Sequence, residues 1–134
     1  MTSCEDFANF GRSLLTDGAP EIALRSGASR IYYAAYHLCQ QYADQYCTPL
    51  QEKDKEDAGG NHAQLYKRLS ENSKSLNLDE PLRNVVEIAK KMKALRVCAD
   101  YKLDRDFTSR DAQRCSAYWD AVKSACAEVD EASS

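Results

Sequence analysis

The sequence predicts an all-α fold, an up-and-down bundle of four to five helices forming one domain over residues 1–134. Three observations predict it. Apolar residues recur at spacings of three and four along most of the chain. Only five Gly and three Pro punctuate the sequence, which leaves room for long helices. No strand-period segment, hairpin or internal repeat competes with this reading.

Each element can be justified in turn. Phe7, Phe10, Leu14 and Leu15 recur at helical spacing and predict a short helix over about 3–15, ended by Thr16-Asp17-Gly18. Pro20 suits a first helical turn, with Glu21 favourable beside it. From there to about Tyr46 only Gly27 interrupts the pattern, and Thr48-Pro49 ends it. Leu24, Ala28, Ile31, Ala35, Leu38, Cys39 and Tyr42 share its apolar face. Within a variable segment at about 48–60, LQEKDKEDAGG reads as a solvated loop or a fraying helix end.

A third helix is expected over about 62–74, capped by Asn61 with Gln64 at the capping-box position and carried by Leu65, Tyr66 and Leu69. Asp79 and Pro81 open a fourth after the polar stretch SENSKSLN. Its stripe is Leu82, Val85, Ile88, Ala89, Met92, Leu95 and Ala99. Thr108 and Asp111 open a fifth, whose Ala112, Cys115, Trp119, Val122, Cys126 and Val129 alternate three and four as a packing seam. The tail Asp130–Ser134 reads as loose.

Composition narrows the function. The chain is 43% apolar and 29% charged, an ordinary globular balance. Its net charge of −3 argues against duplex binding by a broad basic face. No run of 18 apolar residues suggests a membrane span. MTSCEDFANF lacks the basic start and apolar core of an export signal, so a cytoplasmic location is expected. The six cysteines include no Cys-x-x-Cys pair and no zinc-finger spacing to His, so reduced thiols are expected and no metal or cofactor.

One stretch exceeds what a helix needs. SRIYYAAYHLCQ at 29–40 holds an arginine, three tyrosines and a histidine. On a wheel with Arg30 at zero the apolar stripe centres at about 120°. Arg30, Tyr33, Ala34 and His37 gather opposite it, while Tyr32 and Tyr36 flank the stripe. Such a second face suits a surface or hydrogen-bonded layer, a dimer interface, or a ligand or catalytic face. The second constellation is KALRVCADYKLDRD at 93–106. Arg96 sits at the edge of its apolar stripe with Asp100 four residues on and Tyr101 at the helix end. A structural ion pair and a site for an anionic group such as phosphate both fit.

SRIYYAAYH at 29–37, NHAQLYKRL at 61–69 and LRVCADY at 95–101, in that order and spacing, resemble the HEPN superfamily of small helical domains. The likeness covers about residues 20 to 130 and implies a dimeric helical bundle. Many HEPN proteins are metal-independent ribonucleases, often toxins or phage-defence effectors. Their catalytic Arg is followed, four to six residues intervening, by a His at the dimer cleft. Arg96 takes the place of that Arg, but the corresponding His positions hold Tyr101, Lys102 and Leu103. The resemblance therefore implies a cytosolic homodimer that binds RNA, a nucleotide or a partner protein such as a cognate antitoxin, with the catalytic motif degenerate. Arg30, Tyr33 and Tyr36 are its candidate binding residues.

Metal-independent RNA cleavage needs a general base and a general acid, and an arginine is a poor base. The alternative enzyme is thus an endoribonuclease with a rearranged site of Arg96, Asp100 and Tyr101 plus His37 or His62, the chain's two histidines. His62, expected at a helix N-terminus, would be held neutral by the dipole. A purely structural interaction bundle is the third reading. All three require the tyrosine-rich and arginine-bearing helices to lie side by side, with Arg30, His37, Arg96 and Asp100 in one polar neighbourhood.

Overall fold

The computed structural model describes residues 1–134 as an all-helical bundle. Six α-helices run in order: α1 (Cys4–Ser13), α2 (Glu21–Tyr46), α3 (Glu52–Ala58), α4 (Asn61–Glu71), α5 (Asp79–Tyr101) and α6 (Ser109–Ser133). A single 3₁₀ turn at Leu76–Leu78 leads into α5. No strand forms; Cys47 and Ser73 make one isolated antiparallel bridge that ties the ends of α2 and α4.

The capping chemistry explains two starts. Ser3 and Asp6 close a reciprocal capping box on α1, and Thr108 and Asp111 do the same on α6. Elsewhere the structure corrects the sequence reading. The 50–60 segment is neither wholly loop nor frayed, because Glu52–Ala58 forms α3, a seven-residue helix with no buried residue. Asn61 is the first residue of α4 rather than its cap, and the Gln64 amide turns back to the Gly59 carbonyl at 2.8 Å. Asp79 begins α5 rather than preceding it, and accepts a hydrogen bond from the Ser73 hydroxyl.

The tail is not loose. Helix α6 runs to Ser133, and Asp130 accepts from the hydroxyls of Tyr42 and Tyr46 at 2.6 and 2.5 Å. An i,i+4 tyrosine pair on α2 therefore holds the end of α6.

Helix α2 is the axis of the bundle. It packs against α1, α4, α5 and α6. This is why its apolar stripe is wider than the wheel suggests: Tyr32 and Ala34, placed beside and opposite the stripe, are both fully buried. On the α1 side the approach is backbone to backbone. A Cβ on Gly27 would lie 2.7 Å from the Gly11 carbonyl oxygen, and one on Gly11 would lie 2.6 Å from that of Gly27. Two glycines at this crossing let the helix axes come together. Arg12 completes the clamp, bonding Ser116 Oγ and the Ser116 carbonyl at 2.9 Å and pairing with Asp120 at 2.9 Å.

The α6 seam forms as read. Ala112, Cys115, Trp119, Val122, Cys126 and Val129 are all buried. The Trp119 ring carries the Lys123 ammonium 5.2 Å from its centroid, while its indole N–H has no hydrogen-bond partner. Burial pushes the thiols of Cys115 and Cys126 up to about 12, so neither is nucleophilic near neutral pH.

One buried charge organises the end of α5. Arg25, 5% exposed, donates to the carbonyls of Cys98 at 3.0 Å, Ala99 at 2.9 Å and Lys102 at 3.3 Å, and to that of Arg105. Glu21 pairs with its Nε at 3.0 Å and takes the Phe107 amide at 3.2 Å. Carbonyls at and just beyond a helix end have few backbone donors, and here a guanidinium from α2 gathers four of them, adding to the Lys102 amide on the Cys98 carbonyl.

The glycine crossing makes a stability prediction. Alanine is the better helix former by about 1 kcal/mol, but the new methyl meets backbone and the Leu15 side chain at 2.7 Å. Gly27→Ala is expected to lower stability by about 1–3 kcal/mol, the usual range for overpacking. Urea unfolding followed by circular dichroism checks this, and a stabilised variant would contradict the packing described.

Candidate functional site

The site grows from the contact between α2 and α5. Ser29, one residue before Arg30, donates to Asp100 Oδ2 at 2.9 Å. The same oxygen accepts from Arg96 Nε at 2.8 Å across one turn of α5. Arg96 Nη2 then donates to the Tyr33 hydroxyl at 2.8 Å and reaches the Tyr101 hydroxyl at 3.5 Å. Ser29, Asp100, Arg96 and Tyr33 thus make a continuous polar stitch between the two helices.

The rings around it are equally ordered. The Arg96 guanidinium carbon lies 5.1 Å from the Tyr33 ring centroid, 5.2 Å from that of Tyr101 and 6.0 Å from that of Tyr32. Arg30 lies 5.2 Å from the Tyr33 centroid. Tyr33 therefore contacts two guanidinium groups, each within cation–π range. Burial alone would lower the Arg96 pKa, but Tyr33, Asp100 and Tyr101 outweigh it and raise the value. Arg96 is a fixed cation with a side chain only 13% exposed.

His62 enters from α4. Its ring stacks on Tyr32 at 5.6 Å and 13° and packs on Tyr36 at 4.4 Å. Its Nδ1 lies 2.5 Å from the Tyr32 hydroxyl, which lies 2.7 Å from the Tyr66 hydroxyl. Satisfying the buried protons assigns the direction. Tyr66 is 2% exposed and has no other side-chain partner, so it donates to Tyr32, Tyr32 donates to Nδ1, and the His62 proton sits on Nε2. The ring nitrogen of His62 left free by Tyr32 is thereby a donor, not a lone pair. Its pKa is lowered, chiefly by burial and then by Lys93 and Arg96. The expected result was a neutral imidazole held so by the helix dipole; burial and these two cations account for it instead.

The candidates separate as follows. Arg96, Asp100, Tyr101 and Tyr33 form one connected cluster, and His62 joins it through the rings of Tyr32, Tyr33 and Tyr36. Arg30 reaches the cluster through the Tyr33 face and also approaches Phe7 at 5.9 Å. His37 is exposed and meets only rings, with Phe7 at 5.1 Å, Tyr36 at 5.6 Å and Tyr33 at 6.4 Å. It is in ring contact with the cluster but without a hydrogen bond to it.

Sequence reasoning gave no role to Ser29 and read Tyr66 only as core. Both complete hydrogen-bond chains whose other ends lie 71 and 34 residues away. The only local signal was a hydroxyl one turn from other polar side chains, Ser29 beside Tyr33 and Tyr66 beside His62.

Set against protein-family models, curated proteins and solved structures, the chain matches none. The site must therefore be read from its own chemistry. It is a rigid, cation-bearing aromatic surface with one ring, Tyr101, 68% exposed at its edge.

The lowered His62 pKa has a defined sign. Stability from neutral His62 is fully present above its unfolded value of 6.5 and is lost as pH falls through the lower folded value. His62→Asn keeps an acceptor near Nδ1 without titrating. The melting temperature of the wild type is expected to fall between pH 7.5 and 5.5 more than that of the variant. Parallel pH profiles would remove the account of His62 given above.

Proposed function

We propose that the protein is a homodimeric, HEPN-like module that binds single-stranded RNA without cleaving it, acting in the cytoplasm in a toxin–antitoxin or phage-defence setting. One observation carries the choice of binding over catalysis. Arg96 is already fixed by Asp100, Tyr33 and three rings, and the His62 imidazole, whose pKa Arg96 helps to lower, has its Nδ1 taken by Tyr32 and its proton on Nε2. A site so arranged donates hydrogen bonds and offers π-faces, while the one acceptor nitrogen of His62 is taken by the Tyr32 hydroxyl and does not stand ready for the 2′-hydroxyl proton.

RNA suits the chemistry better than other anions. Single strands are bound by cationic tracks interleaved with aromatic platforms, and stacking on a ring contributes about 1–3 kcal/mol per base. Arg96 Nη1 has no protein partner. Lys93 lies close enough to depress His62, and with Lys90 and Lys67 it borders a depression of about 440 Å³ beside Tyr66. This local cationic strip coexists with a net charge of −3. The dimer rests on the family resemblance, supported by Leu103, 73% exposed just past the end of α5, as apolar surface for a second copy.

The proximity of His62 to Arg96 supports a second reading, a ribonuclease with a rearranged site. Reversing the Tyr32–Tyr66 hydrogen-bond chain would free Nε2 as a base, at the expense of leaving the Tyr66 hydroxyl proton without an acceptor.

The test uses a labelled single-stranded RNA titrated with the protein in metal-free buffer. Lys93→Ala and Tyr101→Ala, both away from the core, are each expected to raise Kd by about 5-fold or more, in line with the loss of one stacked base or phosphate contact. The RNA is expected to stay intact and light scattering to report a dimer. Unchanged affinity in both variants, or a strict monomer at micromolar concentration, counts against the proposal. Cleavage that vanishes in Arg96→Ala and His62→Ala would establish the ribonuclease instead.

A further inference from the structure

Beside the tyrosine cluster lies a cleft of about 550 Å³ between α2, α3 and α4. Its size fits a compact organic ligand. Leu50 and Leu65, 7% and 4% exposed, form an apolar floor. The Tyr36 side chain lines one wall and packs against His62, so the cleft adjoins the surface that holds Arg96.

About two turns along α2 from Tyr36, on the same wall of the cleft, stands a carboxylate that is 64% exposed and whose orientation is fixed from behind. Asp44 Oδ1 accepts from Arg68 Nη1 at 2.9 Å and from Gln40 Nε2 at 3.1 Å. Arg68 is itself anchored on the Thr48 carbonyl at 3.2 Å and the Cys47 carbonyl at 3.3 Å, both at the end of α2. Three donors of Arg68 are therefore spent in positioning, while Asp44 Oδ2 has no protein partner and keeps both lone pairs. The Arg68 hydrogen bond, the largest influence on Asp44, keeps its pKa below the ordinary carboxylate value, so the group is an anion at neutral pH. The Asn61 amide, also lining the cleft, makes no side-chain hydrogen bond, and Gln64 has committed only its Nε2, to Gly59.

We propose that this cleft takes one unpaired purine of the bound strand and selects guanine, with Tyr36 as the stacking face and Asp44 Oδ2 as the reader. The inference rests on the RNA-binding reading above. Guanine alone among the four RNA bases presents two adjacent donors, N1–H and N2–H, on its pairing edge, and an acceptor-only carboxylate matches that pattern. Uracil presents a single donor, N3–H, between two carbonyl oxygens that an anion repels. Adenine sets a bare ring nitrogen beside its amino group, and so does cytosine, leaving each only one matched contact. The Asn61 amide, free to donate and accept, is placed to meet guanine O6. Side chains committed to one base edge in this way typically separate right from wrong bases by roughly 5- to 100-fold.

Two measurements decide the matter. Single-stranded oligouridine RNAs with and without one central guanosine are titrated with the full chain. Guanosine monophosphate and uridine monophosphate are added separately to the ¹⁵N-labelled protein, and the side-chain amides of Gln40, Asn61 and Gln64 are followed. The guanosine-bearing RNA is expected to bind at least about 5-fold tighter, and Asp44→Asn to remove that preference. Guanosine monophosphate, not uridine monophosphate, is expected to shift the three amides, and Tyr36→Leu to weaken those shifts if Asp44→Asn compromises folding. RNA binding without a guanosine preference overturns this inference and leaves the RNA reading standing. Amide shifts specific for guanosine monophosphate without RNA binding support the cleft and overturn the RNA reading. Neither effect overturns both.

Discussion

The structure depends on Arg25. Its guanidinium, withdrawn from water, takes the place of the next helical turn for the last carbonyls of α5, and Glu21 balances the charge. A buried arginine is tolerated only when nearly all its donors find acceptors, as they do here. The effect is positional. Residues 98 to 107 are tied to the first turn and a half of α2, which sets the register between the two helices. Ser29, one turn further along α2, then meets Asp100, and Tyr33, one more turn along, meets Arg96. The polar stitch and the aromatic cluster follow from an alignment set outside them.

The fold was legible wherever local chemistry and periodicity agreed. Thr108 and Asp111 satisfy each other within one turn, so neither needs a tertiary partner and the start of α6 could be read directly. The α6 seam could be read because one face of that helix is buried. Where a second neighbour intervenes, the wheel misleads. With four helices packed on α2, burial extends to both flanks of its stripe: Tyr32 and Ala34, the latter read as outer although four 100° steps from Arg30 put it at about 40°, are both fully buried. The tail failed for a similar reason. Its order comes from hydroxyls 84 and 88 residues away, which no window of sequence contains.

The candidate site divides along the same line. The Arg96–Asp100 pair is an i,i+4 contact and was visible, as was the concentration of rings in SRIYYAAYH. What could not be read was which rings face inward. Tyr32 and Tyr33 are adjacent, yet one is fully buried and donates to His62, while the other is half-buried between two arginines. The roles of the two histidines also depended on tertiary placement. Burial made His62 a member of the cluster and exposure left His37 at its margin.

The indole of Trp119 has a practical consequence. It is the chain's one tryptophan, 1% exposed, on the helix that closes the bundle, with its N–H unpaired and an ammonium over its ring. A fluorophore in so buried a setting emits toward the blue, and its colour changes when α6 leaves the bundle. The protein thus carries its own optical gauge of intactness, on a residue that lines neither of the depressions where ligands are proposed to dock. Loss of function in a variant and loss of its fold can be told apart in one cuvette.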